Sequence, residues 1–389
     1  MRNLLFALFV TAATAAGPGA LRGSLGVRGS WFADTSAWDN QLNYAEVDWS
    51  RQHYGEDSSR KETVSLRVFD PVSTEEKPII DPVNVSAEWL RGAWAWQLGF
   101  MRHRFSETFG FQILDVANPR DYGDYLLNDL AWAKRSVFSG VLQWARDGWQ
   151  LQGIITPWAN GDRLPWGGSP FDVVSSTVAY QGGVVERPWF ASPEYGARVK
   201  RLFENGLDVG LLYYRHHARP TLLELVQTGV TQYAARPTDQ LVQSTGASFS
   251  QVWGDWVVRG DALLTFQDVV QGDTPLSIAR ADHFQTLLGV DRTWGDWLFG
   301  GQWQEDPEYE RRTWGARTEW QRWEAWRPSL MMFRGEEGDS WLQLRQRLNW
   351  EGWRADIAWD MLDGPRERAA LFGYIRRADR VLVDVGREF

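Results

Sequence analysis

The feature that most constrains this chain is its repeated two-residue period. Trp94, Trp96, Leu98 and Phe100 alternate with Ala95, Gln97 and Gly99. Leu21, Leu25, Val27 and Trp31 alternate with Arg22, Ser24, Gly26, Arg28 and Ser30, and Val64, Leu66 and Val68 with Ser65 and Arg67. Such alternation marks a strand with one apolar and one polar face. It recurs over nearly the whole length, while no apolar run reaches the roughly 20 residues that a transmembrane helix needs. Any membrane crossing must therefore be made by strands.

The ends of the chain are read in the same light. Met1-Arg2-Asn3 is a positive n-region, Leu4 to Val10 an apolar stretch and Ala13-Thr14-Ala15 a cleavage site. Residues 1–16 are thus expected to be a signal peptide and 17–389 one exported domain. The last strand, Val381 to Phe389, sets Val381, Val383, Val385 and Phe389 on one face. A terminal aromatic of this kind is the expected handle for the barrel-insertion machinery.

Spacing between the alternating runs selects the architecture. Short turns at Arg146-Asp147-Gly148, Glu204-Asn205-Gly206, Gly254-Asp255, Gly295-Asp296 and Glu351-Gly352 alternate with longer links such as His216 to Asp239. That is the pattern of a transmembrane up-and-down antiparallel β-barrel, with short periplasmic turns and longer external loops. The fold class is all-β. About 19 segments can be delimited, but a barrel with both ends in the periplasm needs an even number, so 18 strands are expected and 16 is the fallback. Asn84–Leu90 and the break at Arg377-Ala378-Asp379 are the weakest segments. The 25 Trp among 389 residues fit a wall that meets water at two interfaces, although a Trp-rich soluble carbohydrate-binding barrel shares that composition. The chain has no Cys, so disulfides play no part.

One stretch breaks the period. Met101 to Trp132 opens with Arg102, His103 and Arg104, passes Glu107, and enters Asp115-Val-Ala-Asn118-Pro119-Arg-Asp121. A helix-like run, Asp121 to Trp132, follows, with Asp121 as its N-cap. The expectation is that the strands form a wall and this segment folds inside it. A second irregular stretch, Trp158 to about Pro193, is rich in Gly and Pro.

The segment and its surroundings resemble a family of porin-like outer-membrane proteins related to the alginate-export barrels. The matching residues are Glu107, Leu114-Asp115-Val116-Ala117-Asn118-Pro119-Arg120-Asp121, Arg135, Pro157, Leu164-Pro165 and Gly168-Ser169-Pro170-Phe171. The family's Trp-Gly-Glu position reads Phe105-Ser106-Glu107 here, keeping the aromatic and the acid but not the Gly. The resemblance covers about Leu98 to Phe171 and implies a bacterial outer-membrane barrel. It does not identify a solute.

If apolar residues face lipid, the lumen receives Arg22, Arg28, Arg67, Arg198, Lys200, Arg259, Asp261, Arg317, Glu319, Arg327, Arg345, Arg347, Arg354, Asp356, Asp360, Arg380 and Asp384. Basic groups outnumber acidic ones in that set, although the net charge is −9. Among the 41 basic residues only Lys61, Lys77, Lys134 and Lys200 are Lys. An Arg-ringed lumen favours anions; the competing reading is that these Arg brace the wall by pairing across strands. The expected pore-lining and constriction residues are Arg102, Arg104, Glu107, Arg198, Lys200, Arg317, Arg345, Arg347 and Arg354. Asp115, Asn118, Pro119 and Asp121 are expected to shape the insert.

The expected function is passive passage of polar, anionic solutes or oligosaccharides through an outer-membrane channel. The partners are outer-membrane lipid, the insertion machinery and a small polar or anionic solute. Nucleic acid is excluded by the acidic balance. No cofactor, no metal and no catalytic residue is expected. Adjacent His216 and His217 would point to opposite faces of a strand, and no Ser, His and acid spacing suggests a hydrolase. Two rivals stay open: a closed barrel that binds surface polysaccharide or aids assembly, and a barrel hydrolase.

Overall fold

The computed structural model describes residues 20–34, 37–71, 79–123, 127, 133–159, 161–165, 169, 171, 174, 178–180, 182–187, 190, 192–229, 232–272, 277–365, 372 and 375–388. The expected signal peptide, most of the expected helical run after Asp121, the Gly168 and Pro170 positions of the motif and Phe389 lie outside the described residues.

Eighteen strands form one antiparallel sheet that closes on itself. They are β1 Ala20–Phe32, β2 Ala37–Tyr54, β3 Ser58–Pro71, β4 Ile79–Arg91, β5 Trp94–Met101, β6 Val137–Arg146, β7 Trp149–Trp158, β10 Glu194–Leu202 and β11 Asp208–His217. The second half contributes β14 Leu241–Trp253, β15 Trp256–Gln271, β16 Ile278–Trp294, β17 Trp297–Asp306, β18 Arg311–Trp320, β19 Trp326–Gly335, β20 Ser340–Trp350, β21 Trp353–Asp363 and β22 Arg380–Glu388. Each pairs with its neighbours in chain order, and β1 pairs with both β2 and β22, which closes the wall. Among the described residues two short antiparallel pairs stand outside the barrel sheet: β8 Arg163–Leu164 with β9 Gly183–Val184, and β12 Leu223–Gln227 with β13 Tyr233–Pro237.

The strand count settles the parity conflict at 18. Asn84–Leu90 sits inside the full barrel strand β4. Its alternation is obscured by Pro82 and by a register shift against β3 between Ser65 and Arg67. Arg377-Ala378-Asp379 is the end of the connection that leads into β22.

The alternation maps onto the wall as its period requires. Leu25, Val27, Leu98, Leu151, Ile155, Leu211, Leu288 and Trp359 are more than two-fifths exposed on the outer face. Among the described residues no helix is long and apolar enough to cross a membrane; the closed sheet crosses instead, with its ladder bonds made inside the wall. One rim carries turns of two to five residues, such as 92–93, 147–148, 254–255 and 351–352. The other rim carries the long connections, including 102–136, 159–193, 218–240 and 364–379. The first is the turn side of the barrel and the second its loop side.

Candidate functional site: an insert across the lumen and a basic band beneath it

The 102–136 connection leaves β5 at Met101 and returns to β6 at Val137, two residues paired across the sheet. Its two legs are held together by side-chain amide and carboxylate groups. Asp115 Oδ1 accepts from the backbone N–H groups of Phe105 (2.5 Å) and Ser106 (2.9 Å), and its other oxygen pairs with Lys134. Asn118 Oδ1 accepts from His103 N–H at 2.8 Å while its Nδ2 donates to the Arg135 carbonyl at 2.9 Å. The Pro119 carbonyl accepts from Arg135 N–H at 2.8 Å. Asp121 accepts from Gly123 N–H at 2.8 Å and from Arg163 at 3.2 Å. The insert is thereby a braced hairpin rather than a loose loop.

It docks inside the barrel on an apolar patch of wall. Phe105, Ile113, Leu114, Val116 and Ala117 pack with Val141, Ile154, Leu212, Tyr214, Leu263 and Leu287. These wall residues point inward, and each follows or precedes an outward apolar neighbour: Val141-Leu142, Ile154-Ile155, Leu211-Leu212, Tyr213-Tyr214, Leu263-Leu264, Leu287-Leu288. Gly246 on β14 completes the socket. A Cβ there would lie 2.4 Å from Leu114 Cδ2, so only Gly admits the insert so closely. Asp261 on β15 anchors the first leg, accepting from Ser106 Oγ at 2.6 Å and Thr108 Oγ1 at 3.2 Å.

The hairpin then reaches the far wall. Gly110 turns at φ 64°. Phe109 lies under Arg317 of β18 at 4.1 Å, and Phe111 meets Phe333 of β19 edge-on at 4.9 Å. Phe111 thus joins the first cluster to a second one built from Phe32, Leu127, Phe171, Phe333, Trp341, Leu362, Phe372 and Ile375. Fully buried Arg380 ties that cluster together, donating to Asp360 at 2.8 Å and to the Leu127 carbonyl at 3.3 Å. Two further groups clamp insert to loops. Asp162 accepts from Arg120 N–H and Thr221 N–H, both at 2.7 Å. Arg219 bonds both Glu194 (2.8 Å) and the Val116 carbonyl.

On the turn side of the insert the lumen is charged. Glu107 accepts from Lys200 at 2.9 Å and from Arg198 at 3.2 Å; Lys200 also meets Asp208 at 2.6 Å. Arg198 donates to the Phe105 carbonyl at 2.9 Å and lies over the Phe105 ring. Burial works against the ionised Glu107, but the bond from Lys200 and the charge of Arg198 outweigh it and hold its pKa below the usual range. Arg104 is exposed beside this group, with its Nε on the Ser106 carbonyl at 3.4 Å and no carboxylate among the described residues. Farther round, Asp291 is shared by Arg259 and by Arg317 (3.0 Å). Three cations stand with two carboxylates in the first group, and two with one in the second. Arg345 and Arg347 both reach Asp356 across β20 and β21, at 2.7 and 3.4 Å, and Arg354 bonds the Tyr44 hydroxyl at 2.8 Å, with Asp384 at 3.9 Å.

A cavity of about 480 Å³ opens between the insert and the wall of β4, β5, β7 and β10. Asn84, Gln97, Gln150, Gln152, Arg102 and Arg104 supply its polar lining. Arg102 is held there by Asp81 at 3.0 Å.

The structure therefore gathers Arg102, Arg104, Glu107, Arg198, Lys200 and Arg317 around the insert. Arg345, Arg347 and Arg354 stand apart on β20 and β21. Sequence reasoning missed Asp291, Asp208 and Asp162. Asp291 was detectable as an acid at the height of Arg259 and Arg317 once β15–β18 are set in register. Asp162, in an irregular loop, carried no such signal.

His103 is buried in the root of the insert, stacked on Phe105 at 6.0 Å and bonded through Nε2 to Ser139 Oγ at 2.8 Å. Burial pushes its pKa down to about 4, against the weaker opposing pull of Asp115 and Glu194. The folded insert binds fewer protons than the free chain, so its stabilisation is complete above about pH 6.5 and falls as pH drops toward 4. The loss amounts to about 3 kcal/mol. Protease cleavage within 103–133 is expected to rise between pH 7 and pH 4.5. His103→Phe, which keeps the stacking and removes the titration, should flatten that rise; an unchanged pH profile in the variant would refute the assignment.

Of the remaining histidines, His216 stands beside a serine of the wall. His216 Nε2 meets Ser244 Oγ at 2.8 Å, but its Nδ1 faces the His217 carbonyl rather than a carboxylate, and Ser244 is fully buried. A nucleophile needs an accessible hydroxyl as well as an oriented base, and Ser244 has no such access. Among the described residues no cluster of His, Cys, Asp and Glu has a metal-binding arrangement.

No protein-family profile matches the chain, and no curated protein matches it in sequence. Solved structures do match in shape. OpdQ of Pseudomonas aeruginosa superposes with a TM-score of 0.56 at 8% identity, covering 96% of this chain and 99% of that one. OccK10 (OpdN) of the same organism gives 0.55 at 9%, covering 96% and 99%. OccAB2 of Acinetobacter baumannii gives 0.54 at 9%, covering 95% and 98%. The likeness is one of fold: a closed 18-stranded antiparallel barrel of the outer-membrane type.

Proposed function

We propose that the protein is a porin-like channel of the bacterial outer membrane, passing small polar solutes by diffusion with a preference for anions. The turn side faces the periplasm in this reading, as in barrels of this type. The insert narrows the lumen, and a solute moves past it along the band of Arg104, Arg198, Lys200, Arg259 and Arg317. One observation carries the anion preference: around this band the cations outnumber the carboxylates that pair with them. A pore wall with surplus fixed positive charge concentrates anions and repels cations. The closer kinship, to the alginate-export barrels, rests on the Leu114–Asp121 motif and its neighbours alone, and oligosaccharides remain within the proposed solute range on that account.

A surface-binding role with a closed lumen is the second reading, favoured by the apolar clusters that the insert and loops form with the inner wall. Planar-bilayer recording of the refolded protein separates the two. The channel reading expects steady conductance and an anion-selective reversal potential across a KCl gradient. Arg259→Glu with Arg317→Glu would place two more carboxylates beside Asp291, and the reversal potential should change sign. A folded barrel that passes no current would sink the channel, and selectivity unmoved by the double variant would sink the role of the band.

A further inference from the structure

We propose that the turn-side rim of the outer wall is a binding collar for the phosphodiester headgroups of anionic phospholipids. The proposal does not depend on what the lumen conducts.

It rests on one arrangement repeated around the barrel. Arg201 lies over Trp149 at 4.9 Å, Arg292 over Trp256 at 4.7 Å and Arg387 over Trp353 at 5.4 Å. In each case the two residues are direct partners across neighbouring strands. In each case the Trp is the first residue of its strand, next to a short turn. Two residues back from each Arg, on the same outward face, stands an exposed valine: Val199, Val290 and Val385, each 36–37% exposed. Two residues of strand span about 7 Å, so each guanidinium lies one step outward of an apolar wall position and level with its Trp. Phe203 and Trp294 stand one step farther out than Arg201 and Arg292, which sets the guanidinium groups within an aromatic belt. That is headgroup depth.

The chemistry follows from the pair. The indole sits at the boundary of hydrocarbon and water, and its face holds the guanidinium flat against the wall. A guanidinium so held keeps its fork of N–H donors, which matches two oxygens of a phosphate. Arg292 and Arg387 form no ion pair among the described residues, and Arg201 spends one N–H on the Asp147 carbonyl. A fourth pair, Arg60 over Trp89 at 5.6 Å, differs because Arg60 is already bound to Glu62 at 2.5 Å. The chain as a whole carries a net charge of −9. General electrostatics would therefore repel an anionic lipid, and any preference for one must be local.

The test uses the full-length barrel in bilayers of phosphatidylcholine containing brominated phosphatidylglycerol, read by quenching of tryptophan fluorescence. The wild type should bind phosphatidylglycerol over phosphatidylcholine at the quenching sites, on the order of fivefold. R201Q/R292Q/R387Q, which keeps every Trp, should bring that ratio to about 1. R60Q alone should leave it unchanged, since Glu62 already occupies that guanidinium. Heat-modifiable gel mobility confirms that each barrel is folded. If the triple variant does not fold, R292Q and R387Q are measured singly, each expected to remove part of the preference. A wild type without preference, or folded variants that retain it in full, overturns the proposal.

Discussion

Excision of the insert is expected to raise single-channel conductance severalfold and to abolish discrimination by size. Met101 and Val137 are paired neighbours in the sheet, so a two-residue Asn-Gly turn can replace residues 102–136 without disturbing β5 or β6. The lumen left behind is that of an 18-stranded barrel, wide enough for an aqueous channel. Removal uncovers Leu212, Leu263 and Leu287 to water, each worth about 1.5–3 kcal/mol of burial. Serines at those three positions should restore solubility of the lumen wall. The checks are single-channel conductance and the flux of neutral sugars of graded size. Conductance unchanged by excision would mean that the insert does not narrow the path.

Gly246→Leu is expected to unseat the insert while leaving the wall intact. The new side chain would enter the space of Leu114. Either Leu114 moves and the hairpin lifts from its socket, or the strand bends. A wall held by ladders on both sides is the stiffer partner, so the hairpin should yield. Overpacking of this kind costs about 1–3 kcal/mol. Channel recordings should show larger and noisier openings, and the insert should become open to protease at neutral pH. Gly246→Ala, with a single methyl to accommodate, should show a smaller form of the same change. Quiet, unchanged current from a folded Gly246→Leu barrel would count against the socket.

How much of this was legible in the sequence can be judged from particular strands. Trp94 to Phe100 shows a clean alternation because β5 faces lipid on one side and a polar lumen on the other. Short turns and long links separate the two rims, and the break at Met101 marks the insert. The period-2 rule misleads at Leu211-Leu212 and Leu263-Leu264. It assigns apolar residues to lipid, whereas Leu212 and Leu263 face a lumen that is locally dry because the insert covers it. The apolar doublets were visible, but their meaning depends on knowing what lies against the inner face. The strand-borne basic residues of the band, Arg198, Lys200, Arg259 and Arg317, were legible by parity. Their sharing of carboxylates was not, since Arg259, Arg317 and Asp291 become neighbours only through the stagger of three strand pairings.

The way the insert is anchored also orders events during assembly. It leaves the chain after the fifth strand, yet its Ser106 is bonded to Asp261, 155 residues downstream, and its Phe111 rests on Phe333, later still. Contacts so distant in sequence cannot form until the later strands have joined the wall. A barrel growing strand by strand must therefore hold the 102–136 connection undocked until most of the circumference exists. The wall is closed first, and the insert is seated afterwards on strands completed before it.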